Sequence, residues 1–171
     1  MLTGLAPLVS VDTQLLILGS FPSAASLAAQ QYYGHPRNQF WPILQAIWPD
    51  CACLAGADSY ENRSKWLLSK RLGLWDVYAA CERQGSLDSR IRQPVLNDFA
   101  QLPRDCPGLR AIAHNGSESF RHAGLIQLPG LLSLPSHRLP STSLAHAAWS
   151  FERKLAAWRT LFDHYGLIPN R

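Results

Sequence analysis

The sequence predicts an α/β fold, with three α/β/α layers around a central, mostly parallel four-stranded sheet. Short apolar runs alternate along the chain with amphipathic segments, a pattern typical of strands joined by helices. The runs are apolar at consecutive positions, as strands covered on both faces are. The segments between them are long enough for parallel crossovers. We expect residues 1–171 to form one domain, because this length suits a single core.

Four apolar runs are the predicted strands, and each is short and followed by turn-forming residues. The first is closed by Gly19, and the third by Asn115 and Gly116. The predicted strands are 14–18, 72–78, 109–114 and 131–134.

Helical periodicity is predicted between and after these strands. The last helix is the clearest, because its apolar residues recur at steps of three and four and form one stripe. Gly166 is expected to end it, and Pro42 is expected within the first turn of an earlier helix. The earlier helices are predicted at 24–32, 40–48, 59–70, 94–102 and 116–123. The stripe of the last helix consists of Phe151, Leu155, Trp158, Phe162 and Tyr165.

Composition limits the class of protein but not its partner. Hydrophobic residues make up 47% and charged residues 16%, and no apolar run approaches the roughly 18 residues of a membrane helix. The N-terminus lacks the basic and long apolar regions of a secretory signal, so we expect a soluble, cytoplasmic protein. The spacing of the four cysteines matches no zinc or iron-sulfur motif, so reduced thiols and no metal are expected. A net charge of +4 does not by itself indicate nucleic acid.

In a parallel sheet, the loops that follow the strands meet at one edge, where such folds bind ligands. Here these loops begin with GSFPS (19–23), WDV (75–77), HNGSES (114–119) and LPSTSLAHA (139–147). They offer backbone N–H groups, small hydroxyls and amides, which suit a phosphate or a heterocycle. Serine-hydrolase elbows, phosphate-binding loops, zinc-peptidase motifs and paired carboxylates are all missing from the sequence. The residues alone therefore predict an α/β ligand-binding domain.

The order of four motifs resembles the uracil-DNA glycosylase superfamily, and most closely its hypoxanthine (deoxyinosine) DNA glycosylase branch. The motifs are GSFPS (19–23), YYGHPRNQFW (32–41), HNG (114–116) and LPSTS (139–143). The resemblance covers nearly the whole chain, including LWDVYAACERQGSLDSRIR (74–92). HPRNQFW is the most specific part, because the mismatch-specific uracil/thymine glycosylases carry a very similar HPxNxFW.

The resemblance implies a monofunctional DNA glycosylase of base excision repair that needs no cofactor. Such an enzyme hydrolyses the N-glycosidic bond of a deaminated base flipped out of DNA. The expected partner is DNA containing deaminated bases, and no membrane is involved. Lys65, Lys70 and Lys154 fall in predicted helices away from the motif loops, so no Schiff-base lyase step is expected.

The resemblance also assigns roles in the base pocket. Tyr33 matches the aromatic residue that stacks on the flipped base. Most branches place Asp or Asn third in the first motif to orient water, but here the residue is Phe21, so this role passes to Asn38. Asn38 is expected to orient water and to bridge to the leaving base, although it also suits a helix cap. Ser20 and Pro22 are expected to line the pocket beside Phe21.

Two further residues are candidates for contacts with the edge of the base. Asn115 offers a donor and an acceptor, although Asn before Gly is also a common turn pair. Asp76 as a carboxylate would accept a hydrogen bond from N1–H of hypoxanthine, or else would satisfy backbone amides or an arginine.

The last loop is the expected DNA contact. Many branches open this motif with His or Asn, but Leu139 takes that position here, so that contact to the leaving base is missing. An apolar side chain such as Leu144 is suited to fill the space of the flipped nucleotide, while the serines also suit turns and caps. The expected DNA-binding residues are Arg37, Arg138, Ser141, Thr142, Ser143, Leu144 and His146.

Alternatives to hypoxanthine release remain open at this point. The same pocket suits a uracil-releasing glycosylase of this superfamily, and the sequence does not rank hypoxanthine, uracil and xanthine. A non-catalytic nucleic-acid-binding module on the same fold is the other alternative, because Phe21 and Leu139 replace polar residues of the superfamily.

Overall fold

The computed structural model describes residues 1–49, 59–126, 128 and 134–170. Its strands are β1 (Leu2–Thr3), β2 (Leu15–Gly19), β3 (Leu72–Asp76), β4 (Tyr78–Glu82), β5 (Arg92–Leu96), β6 (Ala111–Asn115) and β7 (Ser136–Leu139). Its helices are α1 (Ala24–Ala29), α2 (Phe40–Ile47), α3 (Tyr60–Ser69), α4 (Leu102–Asp105), α5 (Ser117–Phe120) and α6 (Phe151–His164). Short 3-10 turns lie at Asp88–Arg90 and Ala123–Leu125.

The central sheet has the strand order β3-β2-β6-β7, and every neighbouring pair is parallel. Gly19 pairs with Asp76, and Asn115 pairs with Leu139, so the carboxyl ends of all four strands lie at one edge. This arrangement confirms the predicted fold class. A second sheet, with the order β1-β4-β5 and antiparallel pairing, was not predicted.

Apolar side chains cover both faces of the central sheet. On one face, Leu15 and Ile17 of β2 pack with the buried residues of α2, α3 and α6. Trp158 of α6 is fully buried there, with its ring edge-on to Phe40 at a centroid distance of 5.9 Å. On the other face, Leu16 and the remaining apolar residues of β2 pack against β4, α4 and the segment before β6. The second covering layer is thus built partly from the antiparallel sheet.

The helices predicted at 24–32, 40–48 and 59–70, and the last helix, are confirmed, with slightly shorter bounds. Gly166 has φ 65° just after α6, in the left-handed region where glycine is favoured. The helix predicted at 116–123 is instead the short α5 followed by a 3-10 turn. Within the described ranges, no helix has the length and apolar character needed to cross a membrane.

The predicted helix 94–102 is wrong, because its first residues belong to strand β5 and α4 begins only at Leu102. Spacing of apolar residues favoured a helix there, but pairing with β4 overrides that local preference. Pro94 is tolerated because β5 is an edge strand of its sheet. The predicted strand 72–78 ends at Asp76, after which the chain enters β4.

Two predictions fall partly outside the described residues. Residues 131–133 of the predicted strand 131–134 lie outside the described residues. The fourth position of the sheet is held by β7 at Ser136–Leu139. Cys51 and Cys53 also lie outside the described residues, while Cys81 and Cys106 are buried free thiols.

Candidate functional site

A pocket of about 540 Å³ lies at the carboxyl edge of the parallel sheet. Its volume is within the range of small-molecule sites. All four loops expected from the sequence contribute to its lining, together with the YYGHPRNQFW segment. A sixth segment, 86–89, was not predicted. The lining residues fall within 19–26, 32–38, 86–89, 115–118 and 141–146, with Asp76 between them.

Asn115, at the end of β6, joins three parts of the pocket wall. Its Nδ2 donates hydrogen bonds to the Tyr33 hydroxyl at 3.1 Å and to Thr142 Oγ1 at 2.9 Å. The backbone N–H of Thr142 donates to Asn115 Oδ1 at 3.0 Å. Because both amide hydrogens are used within the protein, Asn115 does not offer the free donor that the sequence predicted for a base edge.

Tyr33 forms one side of the pocket in a strained backbone conformation. Its φ of 54° is in the left-handed region, which is costly for a residue with a Cβ. Its ring stacks on Phe40 with a centroid distance of 4.0 Å and an interplanar angle of 26°. Burial raises the pKa of the Tyr33 hydroxyl above its ordinary value, so the side chain is neutral at physiological pH.

Asp76, at the end of β3, places a carboxyl group in the pocket lining with only 5% of its surface exposed. Among the described residues, Oδ2 has no hydrogen-bond partner. Burial raises the pKa of Asp76 to about 7, the charge of Asp88 adds to this, and Arg83 opposes it. A Cβ on Gly19 would lie 2.5 Å from Asp76 Oδ1, so glycine is needed beside this carboxyl group.

Asn38 lines the pocket, one residue before Gln39, which holds the N-cap position of α2 without a side-chain cap bond. Asn38 Oδ1 accepts a hydrogen bond from the backbone N–H of Phe40 at 2.9 Å. Because Oδ1 is engaged with this N–H, Nδ2 is the group that Asn38 can offer to a ligand.

The neighbouring Gln39 ties this loop to the last helix. Lys154 of α6 is 2% exposed, and its Nζ donates to Gln39 Oε1 at 2.9 Å. The backbone N–H of Gln39 donates to the Thr142 carbonyl oxygen at 3.0 Å. The expectation that all three lysines lie away from the motif loops is therefore wrong for Lys154. Burial lowers the pKa of this lysine, although it does not line the pocket.

The first motif loop is joined to the unpredicted segment 86–89. Ser20 Oγ donates to Asp88 Oδ1 at 2.7 Å, and the backbone N–H of Ala24 donates to Ser86 Oγ at 3.0 Å. Sequence reasoning missed this segment because it follows β4 of the antiparallel sheet and not a strand of the parallel one. Its only signal was the resemblance over 74–92.

Phe21 has only 6% of its surface exposed and lies between the pocket and the core of the second face. The Arg83 guanidinium lies 5.1 Å from its ring centroid, and Arg83 Nη2 donates to the Pro22 carbonyl oxygen. Phe21 and Pro22 are therefore fixed parts of the pocket wall.

Glu118, also in the lining, is already engaged. Its Oε1 accepts from the Tyr78 hydroxyl at 2.6 Å and from Arg121 Nη2 at 2.9 Å. Burial raises the pKa of Tyr78 to about 12, so its hydroxyl keeps its proton. Glu118 thus belongs to a fixed network beside the pocket.

The expected DNA contacts are only partly at the pocket. Thr142 is fully buried and bonded to Asn115, so in this conformation its side chain is not available to a phosphate. Arg37 and Arg138 are exposed but do not line the pocket. Ser141, Ser143, Leu144 and His146 do line it.

These serines also show the local hydrogen bonds of turns. Ser143 N–H donates to Ser141 Oγ at 3.2 Å, and Ala145 N–H donates to Ser143 Oγ at 3.2 Å. Leu144 lies between Ser143 and Ala145, with 40% of its surface exposed. The loop thus presents an apolar side chain on a hydrogen-bonded turn.

Three or more metal-ligating side chains do not come together anywhere in the part of the chain that the structure describes. No protein-family model matches the sequence.

Comparison with characterised proteins gives three strong similarities. A hypoxanthine DNA glycosylase of Methanosarcina acetivorans is 38% identical over 162 residues, covering 94% of this chain and 98% of that protein. A second hypoxanthine DNA glycosylase, from Methanosarcina barkeri, is 35% identical over 131 residues, or 74% and 78% of the two chains. A solution NMR structure of a candidate uracil DNA glycosylase from Methanosarcina acetivorans superposes with a TM-score of 0.80, at 36% identity over 96% and 98% of the chains.

Asp76 should make the stability of the protein depend on pH. Its pKa rises from 3.8 to about 7 on folding, so protonation favours the folded state and stability falls as pH rises between these values. We expect Asp76→Asn to match the wild type below about pH 4 and to exceed it by about 4 kcal/mol in unfolding free energy above about pH 7. Urea denaturation at several pH values measures this difference.

The exposed Asp12, near the opposite edge of the sheet, is the matched control for the loss of one carboxylate. Asp12→Asn removes one carboxylate without changing the pocket, so the expected result is a pH-dependent rise in relative stability that is specific to Asp76→Asn. A constant difference for Asp76→Asn would contradict a buried carboxyl group with a raised pKa.

Proposed function

Because the chain belongs to the hypoxanthine DNA glycosylases of the uracil-DNA glycosylase superfamily, we propose that it hydrolyses the N-glycosidic bond of deoxyinosine in DNA. Its role would be the removal of a deaminated base in base excision repair, without a lyase step. The observation that carries this proposal is that the buried carboxyl group of Asp76 and the side chain of Tyr33 line the same pocket.

The chemistry of Asp76 suits the Watson–Crick edge of hypoxanthine. That edge presents the N1–H donor beside the O6 acceptor. An ionised carboxylate accepts from N1–H, and a protonated carboxyl group also donates to O6. With a pKa of about 7, Asp76 supplies both forms near neutral pH.

Tyr33 supplies the stacking surface for the flipped base. Phe40 supports its ring from one side, and Asn115 holds its hydroxyl. Stacking of a base on an aromatic ring contributes about 1 to 3 kcal/mol. This contribution offsets part of the cost of unstacking the nucleotide, which is a few kcal/mol.

The reaction itself requires the C1′–N9 bond to break, with its electron pair leaving on the purine. A water oxygen then forms the new bond to C1′. We assign Asn38 to the orientation of this water and to a hydrogen bond from Nδ2 to the departing base. An amide is too weak a base to take the water proton, so this assignment is one of positioning.

DNA would approach the pocket mouth along the last loop. Leu144 is the proposed apolar wedge, with Ser141, Ser143 and His146 beside it. Arg37 and Arg138 lie outside the lining and are proposed as more distant phosphate contacts. Binding should therefore weaken as salt concentration rises.

Uracil is the second candidate base, because its N3–H and O4 present the same pattern to Asp76 as N1–H and O6 of hypoxanthine. The other alternative, a nucleic-acid-binding module without catalytic activity, is tested by the base-release assay described below.

A single domain over residues 1–171 and a cytoplasmic location remain predictions from the sequence.

The direct test is a base-release assay with duplexes that carry one deoxyinosine, deoxyuridine or deoxyxanthosine. We expect the wild type to release hypoxanthine and to leave an abasic site that alkali cleaves but the protein alone does not. Asn38→Ala should lower the single-turnover rate by about 100-fold or more. If none of these bases is released at stoichiometric enzyme, the proposal is wrong. If Asn38→Ala keeps full activity, only the role assigned to Asn38 is wrong.

Loss of the hydrogen bond from the Phe40 N–H in Asn38→Ala should also lower stability by about 1 kcal/mol. Ser150→Ala is the matched control, because Ser150 Oγ caps α6 by accepting from the Arg153 N–H at 3.2 Å and does not line the pocket. A similar loss of stability with unchanged base release is expected for Ser150→Ala.

Leu144 should matter for double-stranded DNA only. We expect Leu144→Ala to slow hypoxanthine release from a duplex by about tenfold, because the space left by the flipped nucleotide is no longer filled. Release from the same sequence as a single strand should stay unchanged. Val11→Ala is the control, since Val11 is 66% exposed and precedes β2 at the opposite edge. Equal losses on both substrates would contradict the wedge.

A further inference from the structure

The two amide side chains of the pocket cannot accept a proton from the attacking water. Asn38 is an amide whose Oδ1 already accepts the Phe40 N–H. Asn115 has both amide hydrogens engaged and is equally non-basic. A side chain that accepts the proton of the attacking water typically accelerates hydrolysis by about 100-fold to 10,000-fold.

The described pocket lining contains three carboxyl groups, and their positions differ. Asp76 is buried beside Gly19, with Oδ2 completely enclosed. Glu118 is engaged with Tyr78 and Arg121. Asp88 is on the exposed side of the lining, in the 3-10 turn Asp88–Arg90.

We propose that Asp88 is a catalytic residue of this site, whose carboxylate positions the attacking water and takes its proton. The inference rests on the proposed function, because it concerns the same hydrolysis. When the nucleobase contacts the buried Asp76, the sugar attached to it lies toward the exposed side of the pocket. Asp88 is on that side. There a carboxylate also stabilises the positive charge that develops on the sugar ring.

The water oxygen bonds to C1′, the C1′–N9 bond breaks, and its electron pair leaves with the purine. One water proton passes to Asp88 and from there to solvent. The released purine takes up a proton from solvent, so the products are neutral hypoxanthine and an abasic sugar.

The Asp88 carboxylate is joined to the first motif loop by one hydrogen bond. Ser20 Oγ donates to Oδ1 at 2.7 Å, which leaves Oδ2 for water. The backbone of the turn is closed by the Ile91 N–H donating to the Asp88 carbonyl oxygen at 3.0 Å. Ser86 anchors the same segment to α1 through the Ala24 N–H. Ser20, from the first motif, is therefore a positioning residue for Asp88.

The charged groups around Asp88 set its protonation. Desolvation raises the pKa of Asp88, and the charge of Glu118 on α5 raises it further. The hydrogen bond from Ser20 and the charge of Arg83 after β4 lower it. Asp76 on β3 is the remaining acid that interacts with it, and Asp88 in turn raises the pKa of Asp76. The two acids thus favour protonation of Asp76, the more buried one.

The test is single-turnover release of hypoxanthine by Asp88→Asn, which keeps the size of the side chain and an acceptor for Ser20. We expect a loss of about 100-fold or more, with binding to a duplex containing an abasic site unchanged or tighter. The wild-type rate should fall at acid pH as Asp88 is protonated, and this acid limb should be missing in Asp88→Asn. Asp12→Asn removes the same charge at the opposite edge and should keep the full rate and its pH dependence.

Ser20→Ala separates a catalytic role from a structural one. Because the Ser20 hydrogen bond lowers the pKa of Asp88, its removal should move the acid limb to higher pH. A rate for Asp88→Asn within about threefold of the wild type, or an acid limb that both variants leave unchanged, would overturn the role of Asp88. A wild type that releases no base would overturn the proposed function and this inference together.

Discussion

The amide group of Asn115 is the contact on which the pocket depends. Its three hydrogen bonds join the end of β6 to the Tyr33 loop and to the last loop. The last loop also accepts the Gln39 N–H, and Gln39 is held in turn by Lys154 of α6. Buried polar networks of this kind fix a single arrangement when every member is bonded. The Tyr33 ring and the loop that carries Asn38 are therefore positioned before any ligand enters.

Within this frame, the acids of the pocket lie in contrasting environments. Asp76 is almost fully buried, with a pKa of about 7. Asp88 lies on the exposed side of the pocket, and its carboxylate accepts a hydrogen bond from the Ser20 hydroxyl. Because one acid is buried and the other is exposed, Asp76 can contact the edge of the nucleobase while Asp88 acts on water. The division accounts for how a pocket with Phe21 in its first motif can still carry hydrolysis.

Much of the site was predictable because parallel strands bring their carboxyl ends together, so the order of the motifs gave the pocket walls. Side-chain partners were not predictable, since Asn115 meets Tyr33 and Thr142 only in the folded chain. Asp88 was missed because its segment follows the antiparallel β4, to which the edge rule does not apply. The same sheet overrode the helical pattern at 94–102.

A crystal structure with a duplex carrying a non-hydrolysable deoxyinosine analogue tests the central claim most directly. The account predicts the purine inside the pocket, its ring on Tyr33, its Watson–Crick edge at Asp76 and C1′ on the side of Asp88. A purine that stays stacked in the duplex, or that binds the protein away from this pocket, would contradict the account.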